Sequence, residues 1–189
     1  MDIIQAIEIF ATVTGVAYVV LEIFQKNAMW VVGILTGAAC AYSFGVQHLW
    51  ASMGLNIYYV GASLWGLWQW KRDSVRSEGE IHLGSISPKV LIVSVLLVAV
   101  GTAVLSYALV PLGDEMSVHD AFVTVLSVVG TWWLVKSYPQ QWLVWIVADV
   151  LSAWLCLRGG MYWMAALYLA YTASAVYGYI HWKKKGIYI

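Results

Sequence analysis

Charge is scarce in this chain. Only 11% of its 189 residues are Asp, Glu, Lys or Arg, against 62% hydrophobic, and the mean hydropathy is +0.77. An ordinary soluble domain cannot hide that much apolar surface, so that class is excluded. Cysteine is almost absent. Cys40 and Cys156 both fall inside apolar segments, where they read as small buried hydrophobes and not as a disulfide. The four histidines, His48, His82, His119 and His181, are scattered and show no metal-ligand spacing, so no metal or cofactor is expected. There is no Gly-rich phosphate loop and no nucleophile elbow, and hence no enzymatic motif. The last apolar segment carries no lysine before Lys183, which removes the mid-membrane lysine that a retinal protein needs. Met1–Ile7 has no basic stretch ahead of a short apolar core, so no cleavable signal peptide is expected.

What the chain has in abundance is apolar runs of membrane-spanning length, about 20 residues each. Seven are legible, at approximately 3–24, 28–48, 51–70, 89–111, 118–137, 140–157 and 161–182. Helices are expected, because lipid satisfies no backbone polar group and barrel strands would be about half as long, with alternating polarity. The fold class is therefore an all-α polytopic membrane protein, a single transmembrane domain over 1–189. Residues 71–88 form the one long polar segment and read as a flexible connection.

The basic residues give an orientation. With the N-terminus outside, Lys26, Lys71, Arg72, Arg76, Lys89, Lys136, Lys183, Lys184 and Lys185 all fall inside, leaving only Arg158 outside. The acidic connection with Asp114 and Glu115 is also outside. That bias is the positive-inside pattern of a cytoplasmic (inner) membrane protein.

A pattern then repeats. Asn56, Tyr59, Gly66 and Trp70 recur as Tyr168, Tyr171, Gly178 and Trp182, 112 residues later. Trp30 pairs with Trp145 at an offset of 115, and Trp50 with Trp163 at 113, which suggests a shorter loop in the second copy. The plan is 3+1+3: a three-helix repeat over 1–70, a loop and linker helix over 71–117, and a second repeat over 118–189. An odd linker helix lets both repeats cross the membrane in the same direction, and such proteins usually bind a substrate near mid-membrane.

Trp142, Trp145 and Asp149 are spaced by three and four, on one face of the sixth helix. Asp149 stands near mid-span, where a carboxylate must face a cavity, pair with a donor or be protonated. Two indoles beside it would make a slot for a flat, preferably cationic ring; otherwise they pack helices. Asn56 and Tyr59 share a face of the third helix, and Asn56 can both donate and accept to a heterocycle edge. Gly66 suits close packing, and Trp70 reads as an interface-belt anchor. Tyr168 and Tyr171 are the repeat partners. Asn27 and Trp30 flank the first inner turn, with Glu22 one helical turn before Lys26 as an ordinary ion pair. Glu8, inside the first helix, is a ligand or a packing partner. Gln47 and His48 lie at an outer helix end.

Two of these patterns, WxxWxxx(N/D) as Trp142, Trp145, Asp149 and NxxYxxxxxxGxxxW as Asn56, Tyr59, Gly66, Trp70, resemble the PnuC family of bacterial vitamin transporters. The likeness covers nearly the whole chain. It implies a fold similar to full-length SWEET-type sugar transporters, often a homotrimer. It also implies facilitated diffusion of a vitamin that a cytoplasmic kinase then phosphorylates and traps. Asp149 in place of the Asn common among nicotinamide riboside carriers, and Gln140-Gln141 in place of an acid, point toward the thiamine branch, with nicotinamide riboside as the alternative. A membrane vitamin-binding subunit that needs an energising partner is the rival from another class.

Overall fold

The structure is a computed structural model and describes residues 3–46, 50–72, 80–109, 117–158, 160 and 162–188. Among these residues the chain forms seven helices: α1 (Ile3–Ile23), α2 (Ala28–Val46), α3 (Trp50–Arg72), α4 (Pro88–Leu109), α5 (Ser117–Val135), α6 (Gln141–Arg158) and α7 (Tyr162–Lys185). This is the all-α membrane architecture expected. Helices α2, α4, α5 and α6 are long and apolar enough by themselves to cross a bilayer. The rest of the pattern is a small departure. Ile81–Leu83 (β1) and Gly186–Tyr188 (β2) pair as a two-stranded sheet, where the sequence suggested only a flexible connection.

The chain divides into two compact units, one of Met1–His82 with Lys185–Ile187, the other of Leu83–Lys184 with Tyr188–Ile189. The linker helix α4 thus groups with α5–α7. It is fixed to α5 by the Trp133 indole N–H, which donates to Ser94 Oγ at 3.0 Å, and by Gly101, against which Val125 packs. Much of its remaining surface is bare, with Ile92, Val95, Val100 and Val104 all exposed. Such a surface is at home in lipid and a liability in water.

The first unit turns from α1 to α2 through a left-handed residue, Gln25 (φ 50°). Lys26 N–H donates to Leu21 carbonyl and Gln25 N–H to Glu22 carbonyl, each at 2.9 Å, the pair of bonds that closes a Schellman helix end. Glycine is the usual residue there, because a Cβ strains positive φ. Here the glutamine side chain has its own task. Its Nε2 donates to His82 carbonyl and its Oε1 accepts from His82 N–H, both at 2.9 Å, so one amide holds β1 through both backbone groups of His82. Gln25→Gly should relax the turn yet release β1. Two such bonds are worth ~1–3 kcal/mol in sum, so amide exchange of Ile81–Leu83 should accelerate roughly tenfold or more while α1 and α2 stay protected. Unchanged exchange would show that the grip is idle.

The second unit repeats this turn. Ser137 (φ 57°) takes the left-handed position between α5 and α6. Tyr138 N–H donates to Trp133 carbonyl and Ser137 N–H to Leu134 carbonyl, at 2.9 and 2.8 Å. Ser137 carbonyl accepts from Gly84 N–H at 3.0 Å. Gln25 and Ser137 are 112 residues apart, so the two turns have the same length. The shorter second loop inferred from sequence is corrected by this. The true partner of Trp30 is Trp142, at a constant offset of 112, and Trp145 stands where the first unit has Gly33. The side chains of Trp50 and Trp163 lie outside the described residues.

Candidate functional site

In the second unit α6 carries Trp142, Trp145 and Asp149, and the two indoles leave it toward different neighbours. Trp142 turns to α7. It is 2% exposed, meets Trp182 edge-on (centroids 5.5 Å apart, planes at 86°), and lies so close over Gly178 that an added Cβ there would sit 2.6 Å from its ring. Trp145 turns to α5 and lies over Gly130, where a Cβ would sit 3.2 Å away. A slot with both indoles stacked on one ring is therefore not the arrangement found. Each indole has its own socket, because the facing helices offer a glycine to each, Gly178 on α7 and Gly130 on α5. Both indole N–H groups are nonetheless buried with no hydrogen-bond partner among the described residues, as is Oε1 of Gln140.

Asp149 is half-buried on the same helix, within electrostatic reach of Tyr168 and Tyr171 of α7. Those two phenol rings meet edge-on, with centroids 6.4 Å apart. Tyr168 also feels Cys156 and Asp120; Asp120 lies in the first turn of α5. Five of the expected residues, Trp142, Trp145, Asp149, Tyr168 and Tyr171, fall in this one unit, with Asp149 within electrostatic reach of the two tyrosines. A carboxylate faced by aromatic rings is suited to a flat cation, which gains from the charge and from the ring faces.

In the first unit the same socket is built at equivalent positions. Trp30 is fully buried, meets Trp70 edge-on (5.1 Å, 82°), and lies over Gly66, where a Cβ would sit 2.6 Å from its ring. Its N–H is also buried without a partner among the described residues. Trp70 is 2% exposed, so it is a packing residue of this socket and not the interface anchor expected; its neighbours Lys71 and Arg72 stay exposed. Glu22 is 4% exposed and within electrostatic reach of Tyr18, which also feels Tyr59. It is therefore a buried acid, while Lys26 beside it is exposed. Asn56 and Tyr59 are half-buried on α3, and Asn56 carbonyl closes on Gly37 of α2. Gly37 is the counterpart of Asp149. The first unit thus has Gly33 and Gly37 where the second has Trp145 and Asp149, which leaves that aromatic–acid pair to the second unit.

Asn27 is exposed, and its carbonyl accepts Trp30 N–H at 3.2 Å at the start of α2; it reads as a helix cap apart from the buried aromatics. Glu8 lies on α1 with its side chain outside the described residues, as do Gln47, His48, Asp114 and Glu115. Sequence reasoning missed Gly178 and Gly66 as sockets for Trp142 and Trp30. The constant offset of 112, extended back to the first tryptophan of each copy, is the signal that would have found them.

Comparison with known proteins agrees with this architecture. The chain is 27% identical over 185 residues to the nicotinamide riboside transporter PnuC of Neisseria mucosa, covering 92% of this chain and 70% of that one. It is 24% identical over 203 residues to the PnuC protein of Escherichia coli, which bears the same description, covering 93% and 84%. A crystal structure described as the vitamin B3 transporter PnuC superposes with a TM-score of 0.70 at 26% identity, over 93% of this chain and 79% of that one. The thiamine branch suggested by Asp149 finds no support among these relatives. The sequence profile of the nicotinamide mononucleotide transporter family matches residues 5–184, and the chain belongs to that family of membrane transporters.

Proposed function

We propose that the protein takes up nicotinamide riboside, a flat nucleoside cation, by facilitated diffusion across a bacterial inner membrane, with its N-terminus outside. The observation that carries the reading is Asp149, half-buried on α6 and within electrostatic reach of Tyr168 and Tyr171 of α7, with Trp145 one turn away in sequence. The names of the relatives support nicotinamide riboside over thiamine. Thiamine is also a flat cation, so the carboxylate alone suits either. Thiamine is therefore the comparison ligand and no longer the leading reading.

The relatives are named for the riboside, whereas the family profile is named for the mononucleotide, which bears a phosphate. The chemistry of the second unit favours the riboside. Between Gln141 and Leu157, and between Tyr162 and Trp182, there is no lysine or arginine to neutralise a phosphate, and Asp149 repels one. Exclusion of the phosphorylated form is also what trapping by a cytoplasmic vitamin kinase requires. Three ligands in one titration of the purified protein, followed by tryptophan fluorescence, test this. Nicotinamide riboside should bind at micromolar levels or better, thiamine more weakly, and nicotinamide mononucleotide least. Tighter binding of thiamine would reverse the branch assignment, and equal binding of the mononucleotide would remove the role given to Asp149. Uptake into liposomes by this protein alone separates a transporter from a binding subunit with an energising partner, and its mass in a mild detergent tests a homotrimer.

A further inference from the structure

Trp142 and Asp149 are seven residues apart, two turns along α6, and so lie on nearly the same face. Gly178 and Tyr171 are likewise two turns apart on α7. Consecutive helices run in opposite directions where a short connection joins them, so one contact fixes the other. With the Trp142 ring seated on Gly178, two turns along α6 and two turns back along α7 bring Asp149 level with Tyr171. Asp149 is within electrostatic reach of Tyr171. The first unit follows the same register: Trp30 sits on Gly66, and two turns on, Gly37 reaches the α3 backbone at Asn56 and the Val60 side chain. A buried tryptophan normally finds an acceptor for its N–H; Trp142 has none among the described residues, and its counterpart Trp30 shares that feature.

We propose that Gly178 is a positioning residue for vitamin binding: by seating Trp142 it sets the register of α6 on α7 that brings Asp149 to Tyr171. This rests on the substrate reading given above. It adds that the affinity of the Asp149 site is governed by a glycine two turns from the nearest residue that would touch the ligand. Any side chain at position 178 would push against a rigid indole, since an added Cβ there would sit 2.6 Å from the Trp142 ring, so the ring or the helix must give way.

A double-mutant cycle on the purified, folded protein tests this, with nicotinamide riboside as the probe. Gly178→Ala should weaken binding about tenfold or more, the usual scale of an overpacked contact. Trp142→Phe, whose smaller ring leaves room for a methyl group, should make the protein indifferent to that change: Trp142→Phe and the double variant should bind alike. If Gly178→Ala alone does not fold, the comparison of Trp142→Phe with the double variant still decides. Parent-like affinity in folded Gly178→Ala, or a tenfold penalty that persists in the Trp142→Phe background, overturns the proposal. So does coupling that shows in melting temperature but not in affinity, since that is packing alone. If the parent binds no nicotinamide riboside, the substrate reading fails, and the seat is then read without ligand. Gly178→Ala should alter the near-ultraviolet circular dichroism of the Trp142–Trp182 pair and have no effect once Trp142 is Phe; a persisting change overturns it.

Discussion

Asp149→Asn should weaken nicotinamide riboside binding roughly ten- to hundredfold and raise the half-saturating concentration for uptake to match. Interactions with a charged partner contribute ~1.5–3 kcal/mol, and the substitution keeps the shape of the side chain while removing its charge. The loss should be specific to cationic ligands. Free nicotinamide, which shares the ring and the amide but carries no charge, should bind the two proteins alike. Equal weakening for both would mean that Asp149 braces α6 against α7, where Tyr168 and Tyr171 feel its charge. A change in melting temperature with affinity unaltered on the folded fraction would move the site off α6 altogether.

Trp30→Ala should act in the opposite way, through stability. The ring is fully buried, seated on Gly66 and met edge-on by Trp70. Removing a buried tryptophan leaves a cavity and costs ~3–5 kcal/mol, which lowers the melting temperature of a chain of this size by roughly 10 °C. Trp145→Ala removes a half-buried ring over Gly130. It should cost less stability and weaken cation binding about tenfold, the scale of a desolvated indole contact. A parent-like melting curve for Trp30→Ala would show that its seat carries little of the first unit's stability. Parent-like affinity for Trp145→Ala would leave Asp149 and the two tyrosines as the whole site.

The two substitutions separate because the repeated units are alike in scaffold and different in lining. Both close their first turn with a left-handed residue, Gln25 or Ser137, and both seat an indole on a glycine. At the next two positions on the same helix face, one unit has Gly33 and Gly37 and the other Trp145 and Asp149. In the first unit the missing side chains let α2 close on Tyr18 and Val60. In the second, Trp145 lies over Gly130 of α5 and Asp149 is half-buried on α6.

Much of this was written in the sequence. Seven apolar runs among few charges require helices, because a bilayer offers the backbone no other partner, and the tryptophan pattern gave the repeat. Asp149 stood out on burial cost alone. Three features were decided only in three dimensions. Helical spacing places Trp142 and Trp145 on one side of α6, but which neighbour each indole meets depends on where a facing helix has a glycine, and that is set by the register of α5 and α7. Glu22 lies one turn from Lys26 and reads as a surface pair, yet it is buried beside Tyr18. The polar segment before α4 reads as loose, yet within it the Gln25 side chain holds the backbone of His82. Periodicity reports which face of a helix a residue occupies; the contacts of that face belong to residues far away in the chain, and only packing brings them together.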